Sequence, residues 1–123
     1  MHSAAAEPVL RTRIERIAEL NDRARQGLDR TARTIFTLDL LNELSDGSRR
    51  EDIIAQAKIM KAMRNCEFSA DSPERDIAWF EVEGVSVMMK IDYFDAAFEW
   101  GSDDPSDAAK TRRAITLMRP EDY

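Results

Sequence analysis

The segment 77–94 constrains the fold more than any other part of the chain. Two runs of alternating apolar and polar residues flank Glu83 and Gly84, and an acidic residue followed by glycine favours a two-residue hairpin turn. A turn at these positions sets the strand pairing, because a slip of one residue would exchange the two faces. It places Phe80 on one face and Trp79 on the other. The sequence therefore predicts a β-hairpin, which we expect at the middle of a sheet.

The remaining pattern predicts helices and strands around this hairpin. Apolar spacings of three and four indicate a helix over residues 9–26, and Ser48 with Glu51 forms a capping box that opens a second helix ending near residue 65. We expect its buried stripe to contain Ile53, Ile54, Ala57, Met60, Ala62 and Met63. Strands are predicted at residues 31–38 and 111–118, and short helical turns at residues 39–44 and 104–110.

These elements predict one α+β domain over residues 1–123, with residues 1–7 as a disordered tail. The economical arrangement is a small antiparallel sheet of about four strands, with the hairpin at its centre and two helices packed on one face. The hydrophobic content of 43% fits a globular protein with its own core.

Charge and cysteine content indicate the kind of partner and the cellular compartment to expect. The net charge is -6, and residues 66–107 hold two basic against twelve acidic side chains. Such a concentrated negative field repels nucleic acid and attracts basic partners, although it also serves solubility. The lone Cys66, with no signal peptide and no apolar run of membrane-spanning length, leads us to expect a cytoplasmic protein that binds neither membrane nor nucleic acid directly.

No catalytic constellation is apparent in the sequence. The one histidine, His2, lies in the expected tail, so serine and cysteine lack the base that a nucleophilic mechanism needs. The glycines are dispersed, which argues against a phosphate-binding loop. Clustered aspartates suit hard cations, but their spacing does not match a calcium loop, so we expect solvated loop acids and no metal or other cofactor. An ion pair between Lys90 and Asp92 is expected, since both lie on one face of a strand.

The hairpin face that carries Trp79 suggests a binding surface. One interpretation is that the 95–110 connection, with Phe98 and Trp100, covers this face. The other is an exposed patch of Trp79, Met88 and Trp100 with acidic rims. The acidic members of that candidate surface are Glu81, Asp92, Asp95, Asp103, Asp104 and Asp107. A protein partner with basic residues around an apolar pocket would suit it.

Several motifs resemble a known family. They are Lys90-Ile-Asp-Tyr-Phe-Asp95, Gly101-Ser102, Thr111-x-Arg113-x-Ile-Thr-Leu-Met118 and Ile17-x-x-Leu20-Asn21-Asp22-x-x-Arg25. On these residues the chain is similar to an uncharacterised bacterial family, domain of unknown function 3768. The resemblance implies no particular activity. It implies small stand-alone proteins, often carried on mobile elements, for which inhibition of CRISPR or restriction systems is a plausible role.

The sequence supports three hypotheses on function. The leading one is a non-enzymatic protein-binding module that acts through the acidic, aromatic-containing surface, with anti-defence activity as its most specific form. The second is a small enzyme with a polar site between the first helix and the sheet, formed by Asn21, Asp22, Arg25 and Tyr93, with Asp92 nearby. The third is a structural homodimer, built through edge strands or the Trp79 face.

Overall fold

A four-stranded sheet forms the middle of the protein, and three α-helices pack against one of its faces. The computed structural model describes residues 6–123, and side chains from residue 12 onward. In chain order the elements are α1 (Ala6–Arg25), β1 (Arg33–Phe36), α2 (Leu38–Leu44), α3 (Arg49–Arg64), β2 (Ile77–Val82), β3 (Val85–Phe94), β4 (Arg112–Met118) and a 3₁₀ turn (Pro120–Asp122). Among the helices that the structure describes, none has the length and hydropathy needed to cross a bilayer.

The predicted hairpin and its pairing are confirmed. Strands β2 and β3 are antiparallel, with Val82 opposite Val85 and Trp79 opposite Met88. The turn residues have φ values of 50° at Glu83 and 81° at Gly84, so both adopt the left-handed conformation that a tight hairpin of this kind requires. Side chains consequently alternate between a helix-covered face and the opposite face, here called the open face, on which Met88 and Met118 are nevertheless buried and Trp79 is exposed.

The prediction of an antiparallel sheet with a central hairpin is wrong. The strand order is β1-β4-β3-β2, and β1 runs parallel to β4. Strand β2 is therefore an edge strand, while β3 and β4 are the central pair. A parallel pair needs a long crossover connection, which here contains α2, α3 and the hairpin. The alternation within a strand indicates its faces but not its direction relative to a distant strand.

The prediction of two helices is also wrong, because residues 38–44 form a complete α-helix. The Thr37 hydroxyl caps α2 by accepting a hydrogen bond from the Leu40 backbone N–H (3.3 Å). Of the tail expected over residues 1–7, residues 1–5 lie outside the described part, whereas α1 already begins at Ala6.

The 104–110 segment contains two successive turns instead of the predicted helical turn. Their backbone bonds join the Asp107 N–H to the Asp104 carbonyl (3.0 Å) and the Lys110 N–H to the Asp107 carbonyl (3.1 Å). Each turn is supported by an aspartate side chain: Asp104 accepts from the Ser106 N–H, and Asp107 accepts from the Ala109 N–H. These local bonds compete with helix formation, since they bind the same backbone donors.

The core lies between the helices and one face of the sheet. Each helix contributes buried apolar residues, which pack against alternate residues of the central strands: Ala24, Leu40, Ile59 and Met63 from the helices, with Val87, Met89, Ile91, Ile115 and Leu117 from β3 and β4. The predicted stripe on α3 is only partly correct. Three of its members are exposed, namely Ile53, Ile54 and Ala57, and the buried positions are Ala55, Ile59 and Met63.

Candidate functional site

A buried hydrogen-bond network joins α1 to the sheet, and Asn21 is its centre. The Asn21 amide nitrogen donates to the Tyr93 hydroxyl (2.8 Å) and to the Glu74 backbone carbonyl (2.9 Å). Its amide oxygen accepts a hydrogen bond from Arg113 Nε (2.6 Å). Asn21 is fully buried, so these partners replace the water that its amide would otherwise bind.

Arg113 completes this network, although it was absent from the predicted polar site. Its side chain is only 1% exposed, its Nη2 donates to the Pro105 carbonyl (2.6 Å), and its guanidinium lies 5.1 Å from the centre of the Tyr93 ring. Burial lowers the pKa of Arg113, because desolvation disfavours the charged form. A signal was present in the sequence, since Arg113 shares its strand face with Ile115 and Leu117.

Tyr93 is held in its neutral form by the same surroundings. Burial raises the pKa of Tyr93 to about 12, and the hydrogen bond from Asn21 only partly opposes that effect. The phenol is therefore protonated at neutral pH and cannot serve as a general base there. Because Asn21, Tyr93 and Arg113 bond mainly to one another and to the backbone, the arrangement favours a structural role over an enzymatic one.

Asp22 and Arg25, the other members of the predicted polar site, form a second set beside this network. The Asp22 carboxylate lies between Arg25 Nη2 (2.5 Å) and Arg75 Nη1 (3.3 Å). Arg25 is buried, donates to the Met63 carbonyl (3.3 Å) and stacks 4.8 Å from the Phe68 ring centre. The structure thus brings all four predicted polar residues to the inner side of α1, where they tie the helix to other elements.

Trp79 lies on the open face of the edge strand β2. It is 62% exposed and, with Glu81 and Pro120, lines a shallow hollow of about 330 Å³. Met88, which we expected in the same exposed patch, is buried at 2%. The reason is its place on a central strand, where it pairs with Trp79 on one side and Met118 on the other.

Trp100 belongs to a different part of the surface. It is 72% exposed and lines a hollow of about 510 Å³ with Asp95, Asp103 and Lys110. Gly101 bridges to Phe94 at the end of β3, whereas Trp79 pairs with Met88. Six positions along a strand correspond to roughly 20 Å, so the structure does not bring the two tryptophans together.

Each interpretation of this face is met only in part, because Met88 is buried and the two tryptophans lie apart and form no common patch. Phe98 covers the end of the sheet, since its ring lies 5.8 Å from the Phe94 ring and the Arg33 guanidinium lies 3.8 Å from its centre. Trp100, two residues later, remains uncovered by any residue that the structure describes. The 95–110 connection therefore holds Phe98 partly buried against the end of the sheet and leaves Trp100 exposed.

The acidic residues of this connection mostly shape its turns. Asp95 accepts from the Ala97 and Glu99 N–H groups (3.1 and 3.0 Å), and Asp104 pairs with Arg13 (3.3 Å). Hydrogen bonds from Ser106 lower the pKa of Asp104, which keeps that carboxyl ionised. The expected pair of Lys90 with Asp92 is present at 3.2 Å, on the sheet itself. Within residues 12–123, no group of three potential metal ligands is close enough to hold an ion.

The family comparison agrees with the motifs of residues 90–118, whereas the motif of residues 17–25 lies outside the matched range. A model of the family described as Protein of unknown function (DUF3768) matches residues 37–122, which is more than half of the chain. No curated protein and no solved structure matches it. The match spans the hairpin, both central strands and the whole 95–110 connection, so the chain belongs to the DUF3768 family of proteins of unknown function.

Proposed function

We propose that this protein is a non-enzymatic binding module whose contact surface is the Trp100 end of the sheet. The observation that carries the proposal is the exposure of Trp100 on a hollow that also carries the Asp95 and Asp103 carboxylates. Large exposed aromatic side chains are enriched at the centres of protein interfaces, where they supply much of the binding energy. The hollow is wide enough to take an apolar side chain of a partner.

Charge defines the partner chemistry. Asp103 and Glu99 make no ion pair with any side chain that the structure describes, so their charges are free to meet a basic surface. Acidic residues around an aromatic anchor steer a basic partner by long-range attraction and set its orientation. We therefore propose a protein partner with lysine or arginine residues around an apolar side chain, met in the cytoplasm, where the lone Cys66 stays reduced.

The narrower form of the proposal is anti-defence activity in bacteria. An acidic protein can occupy the basic groove of a nucleic-acid-processing complex, because that groove is built to attract phosphates. The mobile-element setting that the family resemblance implies supports this class of partner, and it is the first class to test.

The experiment is affinity capture of partners from a bacterial lysate, with measurement of the recovered complex at rising salt. We expect Trp100→Ala and Asp103→Asn to abolish or strongly weaken capture, while Trp79→Ala, which removes the other exposed tryptophan, leaves it unchanged. Binding should fall towards roughly 1 M salt, where the Debye length is about 3 Å. Capture that survives Trp100→Ala, or that is indifferent to salt, would refute the proposal.

A second candidate is a homodimer formed through the open edge of β2. Its support is Trp79, which is exposed on a strand whose outer backbone groups face no other strand in the described chain. Solution mass measured by light scattering tests this directly. A dimer that Trp79→Ala converts to a monomer supports it; a wild-type monomer at all concentrations rules it out.

A further inference from the structure

A third hollow, at the C-terminal end of α1, has the opposite charge from the Trp100 surface. Four arginines and one aspartate line it, in a protein whose net charge is -6. Its volume is about 350 Å³. Two leucines add apolar surface to these charged groups, so that its lining includes Leu20, Arg23, Leu28, Asp29, Arg30, Arg112 and Arg113.

Most of this positive charge is unpaired. Arg23 and Arg30 make no ion pair or side-chain hydrogen bond with the described residues, and Arg112 donates only to the Ala108 and Thr111 carbonyls (3.4 and 3.2 Å). Arg113 is buried at the base, where its partners are the neutral Asn21 amide and Pro105 carbonyl. No carboxylate of the described side chains forms an ion pair with it, which is unusual for a buried guanidinium.

Asp29 is the one acidic group among the described residues that line the hollow. Its Oδ1 accepts two hydrogen bonds from Thr31, from the backbone N–H (2.9 Å) and from the hydroxyl (2.6 Å). The carboxylate is thus engaged in shaping its own loop. Its charge acts on Arg113 at longer range, raising a pKa that burial has lowered more strongly. Asp29 offsets one of the four positive charges and leaves the hollow cationic.

From this arrangement we propose that the arginine hollow binds a small organic phosphate. Guanidinium groups match phosphate oxygens in pairs, and a phosphoryl group has enough acceptors to engage more than one arginine. The apolar side chains of Leu20 and Leu28 provide a wall for the organic remainder of the ligand. The volume of the hollow lies at the small end of the ~300–1,000 Å³ range of small-molecule sites.

The charge of the rest of the protein restricts the ligand to a small one. Residues 66–107 hold twelve acidic and two basic side chains, a field that repels an extended polyanion. A single phosphoryl group needs only the local field of the hollow. This site is separate from the Trp100 hollow, although the two flank the same turn: Ala108 lines one, and Ala109 and Lys110 line the other.

Calorimetric titration at low salt tests the proposal, with inorganic phosphate, adenosine 5′-monophosphate and adenosine as probes. We expect both phosphate-containing probes to compete for one site and adenosine to bind far more weakly. Arg23→Ala and Arg30→Ala should each weaken binding by about tenfold, the size of one lost charge-assisted contact. Asp29→Asn should strengthen binding, because it removes the negative charge of this carboxylate from the hollow and keeps an acceptor for Thr31.

Arg49→Ala is the matched control. Arg49 is an exposed arginine at the start of α3, outside the hollow, and its replacement should leave affinity within about twofold of wild type because only its long-range charge is lost. Amide chemical shifts should move at Thr31, Ala108 and Thr111 on titration with adenosine 5′-monophosphate. No saturable binding of either phosphate probe, or equal weakening by Arg49→Ala, would overturn the proposal.

Discussion

The two faces of the sheet treat polar and aromatic side chains in opposite ways. On the helix-covered face a buried amide is hydrogen-bonded to a partly buried phenol and to a buried guanidinium. On the open face and at its end, two tryptophans are left largely exposed. This difference shows that the polar residues which the sequence suggested as an active site serve instead to hold α1 against the sheet. The largely exposed tryptophans lie outside this network.

Among the substitutions that test this contrast between the two faces, Asn21→Ala should reduce the stability of the fold the most. It removes three hydrogen bonds and leaves Arg113 Nε, the Tyr93 hydroxyl and the Glu74 carbonyl without that partner. We expect a loss of about 3–5 kcal/mol in the free energy of unfolding, since each unsatisfied buried group costs about 1–3 kcal/mol. Urea denaturation measures it. A loss below about 1 kcal/mol would mean that water readily replaces the network.

Gly84→Val should cause the next largest loss of stability. The turn at Gly84 determines which residues of the hairpin lie on which face of the sheet. A β-branched residue at a φ of 81° is strained, and we expect destabilisation of about 1–2 kcal/mol. Gly84→Asn is the matched variant and should cost less, since asparagine tolerates this conformation. Thermal melts of both variants give the ordering. Equal melting temperatures would contradict a strained turn.

Tyr93→Phe should cost about 1 kcal/mol, because it removes one hydrogen-bond acceptor from Asn21 and keeps the ring. It should also change the alkaline stability profile. The pKa of Tyr93 is about 12 in the folded protein and about 10 in an unfolded chain, so its stabilising contribution is complete below pH 10 and is lost as the pH rises towards 12. Denaturation at alkaline pH should therefore be less steeply pH-dependent in Tyr93→Phe. If the pH dependence of unfolding were the same in the variant and the wild type, the Tyr93 hydroxyl would be exposed to solvent in the folded protein.

Trp79→Ala and Trp100→Ala should have the smallest effects on stability. Both side chains are mostly exposed, so we expect changes within about 0.5 kcal/mol in the same urea experiment. Loss of several kcal/mol from either variant would show that the ring is packed, and would remove the contrast between the two faces.

Local features of the fold were predictable, and long-range ones were not. The hairpin register follows from two adjacent residues, Glu83 and Gly84, and the start of α3 follows from Ser48. The parallel pairing of β1 with β4 joins residues 33–36 to residues 114–117, and no local pattern encodes it. The buried face of α3 also depends on distant packing, since Ile53 and Ala55 are both apolar and only the position of the sheet decides which is buried.

The candidate site was predictable to a similar extent. Asn21, named in the predicted polar site, is buried with polar partners, and its motif-mates Asp22 and Arg25 lie beside it. Arg113 was not part of the predicted polar site, because arginine is seldom buried and the sequence alone does not show which face of β4 meets the core. The hollow that contains Arg23 and Arg30 arises from the meeting of the 28–31 loop with the end of the 95–110 connection, which only the three-dimensional structure reveals.

The position of β4 has a consequence for how the chain reaches this structure. β2 and β3 meet across two residues and can pair in microseconds, whereas β4 must be captured against β3 before β1 has any strand to join. Closing the long loop between β1 and β4 carries an entropic cost, and the contacts that offset it form only when β1 pairs with β4. Folding should therefore proceed from the hairpin outward, with the N-terminal third of the molecule docking last.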